Sequence, residues 1–426
     1  MLNRKIAPPI VDAVNFNLQL KPYQYFTLEN GIPVYCIDAG EQEVLQIEWV
    51  FYAGNWFEQQ QGVAAATNFM LKNGTSKKNA YELNEAFDYY GSYCSRSCYN
   101  ETASVSLHCL SRHAEKGVSI IAEMISDSVF PEKELEIFKQ NSKQRLQVNQ
   151  KKCEFVAGRK IDGLLYGEKH PYAAYTSETE IDALDVALLK TFYQQYYLQG
   201  SCVIFVAGKL PAQIIGLLNA HFGKMPLKKP GYLLSPVPVN PSPEKKWRIK
   251  NDEQAVQGAI RMASSFPNRH HPDFKKAVVL NNIFGGYFGS RLMSNIREEK
   301  GYTYGIYSYL QNHIQESAWM ISTEAGLAYC EPLIEEVYKE MKLLRETPVS
   351  SNELKLVQNY MMGSLLGDLD GPFHIIAKWK NIILNGLGED YFYSSVDAIK
   401  NSKPEELQAL AQKYLQPENF YELIVY

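Results

Sequence analysis

Two similar halves meet at a proline-rich midpoint, and that internal repeat limits the fold of this 426-residue chain more than any other feature. Prolines 226, 230, 236, 238, 241 and 243 crowd into one short stretch, although the chain has only 20. Such a stretch reads as an extended, semi-rigid linker over 226–245, between an N-terminal domain (1–225) and a C-terminal domain (246–426). Ser104 to Leu146 reads as strand, amphipathic helix, turn and second helix. The same order starts again at Ala318, with Leu354 in the place of Leu135. The ends agree as well. Thr191–Val206 and Gln408–Val425 each read as a helix feeding a final strand, with Leu198 matched to Leu415. A gene duplication accounts for the two copies economically.

Each copy has the hydrophobic rhythm of an α+β unit. Leu45, Ile47, Trp49 and Phe51 alternate with Gln46, Glu48 and Val50, the period of a strand with one buried face. Val118, Ile121, Ile125 and Val129 recur at helical spacing, as do Leu333, Val337, Met341 and Leu344 behind the expected strand Trp319–Thr323. The order of elements predicts, for each half, an antiparallel sheet with helices packed on one face. A net charge of −4, from 43 basic and 47 acidic side chains, gives no reason to expect a nucleic acid or an anionic membrane as partner. No apolar run is long enough to span a bilayer, and Met1–Val14 has no apolar core of the kind a signal peptide needs. The expected location is therefore the cytoplasm. Seven scattered cysteines do not make a disulfide framework, and Cys94 and Cys98, four apart, have no second Cys or His pair near them in metal-ligand spacing.

The stretch Gly62–Thr75, GVAAATNFMLKNGT, resembles the motif helix of the M16 (pitrilysin or mitochondrial-processing-peptidase) metallopeptidases, G-x-A-H-x-x-E-H-x-x-F-x-G-T. Gly62, Ala64, Met70, Gly74 and Thr75 fall where that pattern has them, and Leu83–Gly91 resembles the helix and glycine that follow. In the family, two histidines four apart reach one zinc ion and the glutamate between them acts as base toward the metal-bound water. Here Ala65 and Phe69 stand at the histidine positions and Asn68 at the glutamate. A distal glutamate completes the family's site, and the family's spacing puts Arg145 there. Glu132, Glu134 and Glu136 lie a little upstream, but no shift of register restores a histidine. Alanine and phenylalanine have no lone pair to donate, an amide is a poor base, and a guanidinium repels a cation. The expectation is that this chain binds no metal and no cofactor.

Residues Phe284–Tyr304, FGGYFGSRLMSNIREEKGYTY, resemble the family's second signature: a glycine turn, S-R-L, then R-E-x-x-G-x-x-Y. Gly285, Gly286 and Gly289 are read as that turn, since no Gly-Lys-Ser/Thr follows to make a phosphate loop. Arg297 and Tyr304 match the arginine and tyrosine that M16 enzymes aim at the scissile carbonyl, where preorganised donors stabilise the developing oxyanion. The bland alternative is a surface arginine paired with Glu298 or Glu299 and one tyrosine among 29. The resemblance covers nearly the whole chain and implies two duplicated M16-type (LuxS/MPP-like) domains. It also implies the second subunit of an M16B-type heterodimeric zinc peptidase. Such a subunit supplies Arg297 and Tyr304 in trans to a homologous partner that carries His-x-x-Glu-His and the zinc, for hydrolysis of unstructured peptides. The alternative is a non-catalytic structural or peptide-binding protein of the same fold.

Overall fold

The computed structural model describes residues 11–231 and 234–426. The first ten residues of the stretch read for a signal peptide, and residues 232 and 233 of the linker, lie outside that range.

Two sheets carry the fold. In chain order the first half holds β1 (Gln24–Thr27), β2 (Pro33–Asp38), β3 (Val44–Phe51), α1 (Val63–Met70), α2 (Ala80–Tyr89), β4 (Tyr93–Cys98) and β5 (Ala103–Leu110). It continues with α3 (Ala114–Ser126), α4 (Glu132–Gln150), α5 (Cys153–Tyr166), α6 (Glu178–Asp182), α7 (Val186–Tyr193), β6 (Cys202–Gly208) and α8 (Ile214–Phe222). The second half holds β7 (Lys246–Ile249), β8 (Gln257–Phe266), α9 (Phe274–Asn281), β9 (Thr303–Asn312), β10 (Ser317–Gly326) and α10 (Cys330–Glu346). After these come α11 (Ser351–Gly367), α12 (Pro372–Leu384), α13 (Asp390–Asn401), α14 (Pro404–Tyr414) and β11 (Tyr421–Val425). The described residues between α8 and β7 form no helix or strand.

The strand orders are β1-β2-β6-β3-β5-β4 and β7-β11-β8-β10-β9, the same topology twice with β1 added at one edge. Leu135 and Leu354 each occupy the fourth position of their helix, and both are buried. Each sheet is antiparallel except for one pair, β2 with β6 and β11 with β7, which run parallel. That exception arises because the last strand of each half returns between the first two main strands of its own sheet, a long-range pairing that no local pattern encodes.

On one face of the first sheet, Ile47, Trp49, Val105 and Leu107 pack against Val118, Ile121 and Ile125 of α3, with Leu218 and Phe222 of α8 joining the same core. The alternate residues are buried as well: Val50 is 2% and Glu48 8% exposed. Their cover comes from the other half. Ile375, Ile376, Trp379 and Ile382 of α12 share a core with Tyr35, Ile37, Val50, Val203 and Phe205, and Lys380 reaches Glu48 at 2.7 Å. The exchange is reciprocal. Ala157, Ile161, Leu164 and Leu165 of α5 pack on the second sheet against Ala259, Ala263, Ala318, Met320 and Leu423, where three alanines make room for the helix. Each half thus keeps its own helical layer on one face and lends one helix to the other sheet.

Candidate functional site

The residues of α1 divide by helical face. Val63, Ala64, Ala66, Thr67, Asn68 and Met70 point into the core, while Ala65 and Phe69, four apart, share the exposed side. Entry to the helix needs a glycine: Gly62 has φ +90°, and an added Cβ there would lie 2.9 Å from Thr176 Cγ2. The Glu58 carboxylate accepts from the N–H groups of Gly62 (3.1 Å) and Ala64 (3.0 Å) and so caps the first turn. Its burial pushes its pKa up to about 7, against the opposing pull of those two N–H groups. At the far end Gly74 has φ +148°, and an added Cβ would meet Pro131 at 3.0 Å. Thr75 Oγ1 donates to Glu123 at 2.7 Å, and Lys78 holds the same carboxylate. The motif positions that match the M16 pattern are therefore those that shape this helix and its exit.

At the positions that would do chemistry the surroundings have closed in. Asn68 is 2% exposed and turned inward, its Nδ2 donating to the Ser104 carbonyl (3.2 Å) and to the Tyr197 hydroxyl (3.1 Å). The Phe69 ring packs against Phe138 of α4, centroids 5.0 Å apart, and the Arg96 guanidinium sits 5.0 Å from its centroid. Arg96 also donates to the Phe69 carbonyl oxygen. Arg145 is exposed on α4, two helical turns beyond Phe138 and on the same side of that helix. Among the described residues, no group of three or more His, Cys, Asp or Glu side chains is placed to hold a metal ion.

Arg96 is the site residue that sequence reasoning missed. It projects from β4 between Cys94 and Cys98, and the period of two along that strand puts all three side chains on the face toward α1. Both cysteines are free thiols, and burial pushes their pKa up to about 11 for Cys94 and about 12 for Cys98. Burial also lowers the pKa of Arg96, whose Nε has no hydrogen-bond partner among the described residues.

The second signature folds into two π-helical turns, Asn282–Gly286 and Met293–Glu299, joined through Tyr287–Leu292. Gly285 and Gly286 end the first turn, and Gly289 lies in the connection. Arg291 makes a two-pronged ion pair with Glu353 of α11 (2.8 and 2.9 Å), which braces the segment against the helical layer. Arg297 and Tyr304 come together. Arg297 Nε donates to the Tyr304 backbone oxygen at 2.9 Å, and the guanidinium carbon lies 4.6 Å from the Phe288 ring centroid and 5.9 Å from that of Tyr304. Glu298 is more distant, with its oxygen 3.7 Å from Arg297 Nη1. Tyr304 is 94% exposed and projects its hydroxyl from β9, the edge strand of its sheet. Arg297 and Tyr304 thus lie together at one sheet edge of the second half, and α1 of the first half carries no histidine or carboxylate.

Comparison with known proteins gives a consistent result. Residues 39–169 match the family model described as insulinase (peptidase family M16), and residues 183–361 match the one described as peptidase M16 inactive domain. An uncharacterized zinc protease, YmxG, of Bacillus subtilis is 26% identical over 367 residues, covering 85% of this chain and 88% of its own. The crystal structure of a peptidase M16 inactive domain from Pseudomonas fluorescens superposes with a TM-score of 0.84 at 23% identity, covering 95% of this chain and 98% of that one. A protease from Helicobacter pylori gives a TM-score of 0.85 at 15% identity over 96% and 100% of the two chains.

Proposed function

The chain belongs to the M16 peptidase family, and from that premise we propose that it is the subunit of an M16 peptidase complex that carries no zinc. In this reading a homologous partner supplies the His-x-x-Glu-His helix and the metal. This chain supplies Arg297 and Tyr304 to the partner's substrate, an unstructured peptide bound as an added strand. The observation that carries the reading is the contrast between the two signatures. Phe69, packed between Phe138 and Arg96, fills a histidine position, whereas Arg297 and Tyr304 are preassembled and Tyr304 is almost wholly exposed. At 94% exposure the Tyr304 hydroxyl is open to a substrate or partner chain. No helix of the described residues is long and apolar enough to cross a membrane.

The scaffold alternative draws on the same geometry, because the bond from Arg297 to the Tyr304 carbonyl would also brace a loop. One experiment separates the two. The native protein is co-purified with its partner, zinc in the complex is measured, and the reconstituted complex is assayed on a mixture of unstructured peptides. Tyr304→Phe removes one hydroxyl, so assembly should survive while turnover falls about a hundredfold, the usual loss for one oxyanion donor. Full turnover by Tyr304→Phe and Arg297→Ala, with the complex intact, would make both residues structural and leave a scaffold.

A further inference from the structure

The helical layer of the second half lines an open pocket of about 450 Å³ among α11, α12, α13 and the loop from β8 to α9. Phe274, Leu365 and Ile382 give it an apolar lining, and two cations, Arg269 and Lys378, line it beside them. Arg269 Nη1 donates to Asn381 Oδ1, while its Nε is buried without a hydrogen-bond partner among the described residues. No carboxylate lies within ion-pair distance of it among those residues. The one acid in the lining, Asp368, is engaged by Lys378 at 2.8 Å. Arg248, Arg261 and Arg291 in the same half all have carboxylate partners. Burial depresses the Arg269 pKa, and the Tyr391 phenol in the lining stays neutral because burial raises its own pKa.

Arg269 is half-buried and its guanidinium keeps part of its water, but its buried Nε–H has no acceptor, which is costly, and no carboxylate offsets its charge. A structural role through Asn381 alone leaves both terms standing. A ligand that brings one negative charge removes them, and the apolar lining gives the rest of such a ligand somewhere to go. One unpaired cation calls for one charge, which favours a carboxylate over a doubly charged phosphate. A second cavity of about 360 Å³ shares Leu365, Tyr391 and Ser395 with the first, so a body longer than one ring has room. We propose that this cavity binds a small organic acid, an apolar body ending in a single carboxylate, with Arg269 as its counter-charge. The site is independent of Arg297, Tyr304 and α1.

Calorimetric titration of the full chain tests this with 4-phenylbutyrate and its neutral counterpart, 4-phenylbutanamide. Saturable one-to-one binding of the acid is expected, with the amide at least about tenfold weaker, the usual worth of a charged hydrogen bond. Arg269→Met should weaken the acid by a similar factor. Ala377→Trp, a change at an exposed position of the cavity wall, should block it even if the arginine variant folds poorly. Three results would each overturn the proposal: no saturable heat from butyrate, 4-phenylbutyrate or octanoate up to about 5 mM, equal binding of acid and amide, or unchanged binding in Ala377→Trp.

Discussion

Restoring the four motif residues should not restore the metal site, because the obstacle includes a residue outside the motif. Consider the quadruple variant Ala65→His, Asn68→Glu, Phe69→His, Arg145→Glu. A zinc ion bound between the new imidazoles would sit close to the space of the present Phe69 ring, and the Arg96 guanidinium is 5.0 Å from that ring's centroid. At that separation a doubly charged ion and a guanidinium repel by about 7 kcal/mol at an effective dielectric constant of about 20. Discounted by half for solvent access, about 3 kcal/mol remains, or roughly a hundredfold in affinity. The new glutamate at 68 would also face the Ser104 carbonyl, which now accepts from Asn68. That loss of a buried hydrogen bond should cost about 1–3 kcal/mol of stability. Competition titration with a zinc-binding dye, alongside thermal melts, measures both effects. Adding Arg96→Ser to the quadruple variant removes this cation without changing the ligand set, and should tighten zinc about a hundredfold. Affinities within threefold of each other, in variants that both melt cooperatively, would refute the electrostatic argument.

Gly62→Ala forces a side chain into a left-handed conformation and against Thr176, so it should cost on the order of 1–3 kcal/mol and lower the melting temperature; an unchanged midpoint would mean the helix entry relaxes freely. His313, stacked on Tyr172 at 3.9 Å, has its pKa lowered to about 4 by burial and by the neighbouring His170. The unfolded chain binds this proton near pH 6.5 and the native chain only near pH 4, so this group's stability is present at neutral pH and is lost as pH falls through that window, about 3 kcal/mol in all. Asp162 and Glu58, raised to about 6 and about 7, act in the opposite sense. The His313 contribution is therefore read as the difference between wild type and His313→Gln in denaturant melts from pH 7 to pH 4, with wild type losing more; parallel profiles would exclude it.

What could be read from the sequence was what the chain writes contiguously. The halves declared themselves because each helix and strand carries its buried stripe locally, as Leu135 and Leu354 do. The departures at Ala65, Asn68 and Phe69 were legible because those three positions lie on one helix. Arg96 did not, since it reaches Phe69 only after the chain passes through α2 and returns along β4. The burial of Val50 and Glu48 was also hidden, because their cover is a helix more than three hundred residues away. The alanines at 259, 263 and 318 were a faint sign that something packs closely on that sheet face, but a small residue does not say which helix will use the space.

The exchange of α5 and α12 sets how far the halves can be independent, and it leads to a last prediction. A fragment ending at residue 225 keeps every strand of the first sheet but loses α12 and with it the cover over Tyr35, Ile37, Val50, Val203 and Phe205. Four large side chains arrive with that helix, Ile375, Ile376, Trp379 and Ile382. At about 1.5–3 kcal/mol for each side chain buried, the loss is on the order of 6–12 kcal/mol, comparable with the whole stability of a typical domain. The fragment also keeps α5, whose apolar face would have no second sheet to meet. It should therefore show no cooperative melt alone, whereas co-expression with residues 226–426 should restore one, because every missing contact is then available from the other fragment. A sharp, reversible transition from the first fragment alone would mean that α5 folds back over its own sheet and takes the place of α12. The two halves, duplicated in sequence, would then be separable in folding as well.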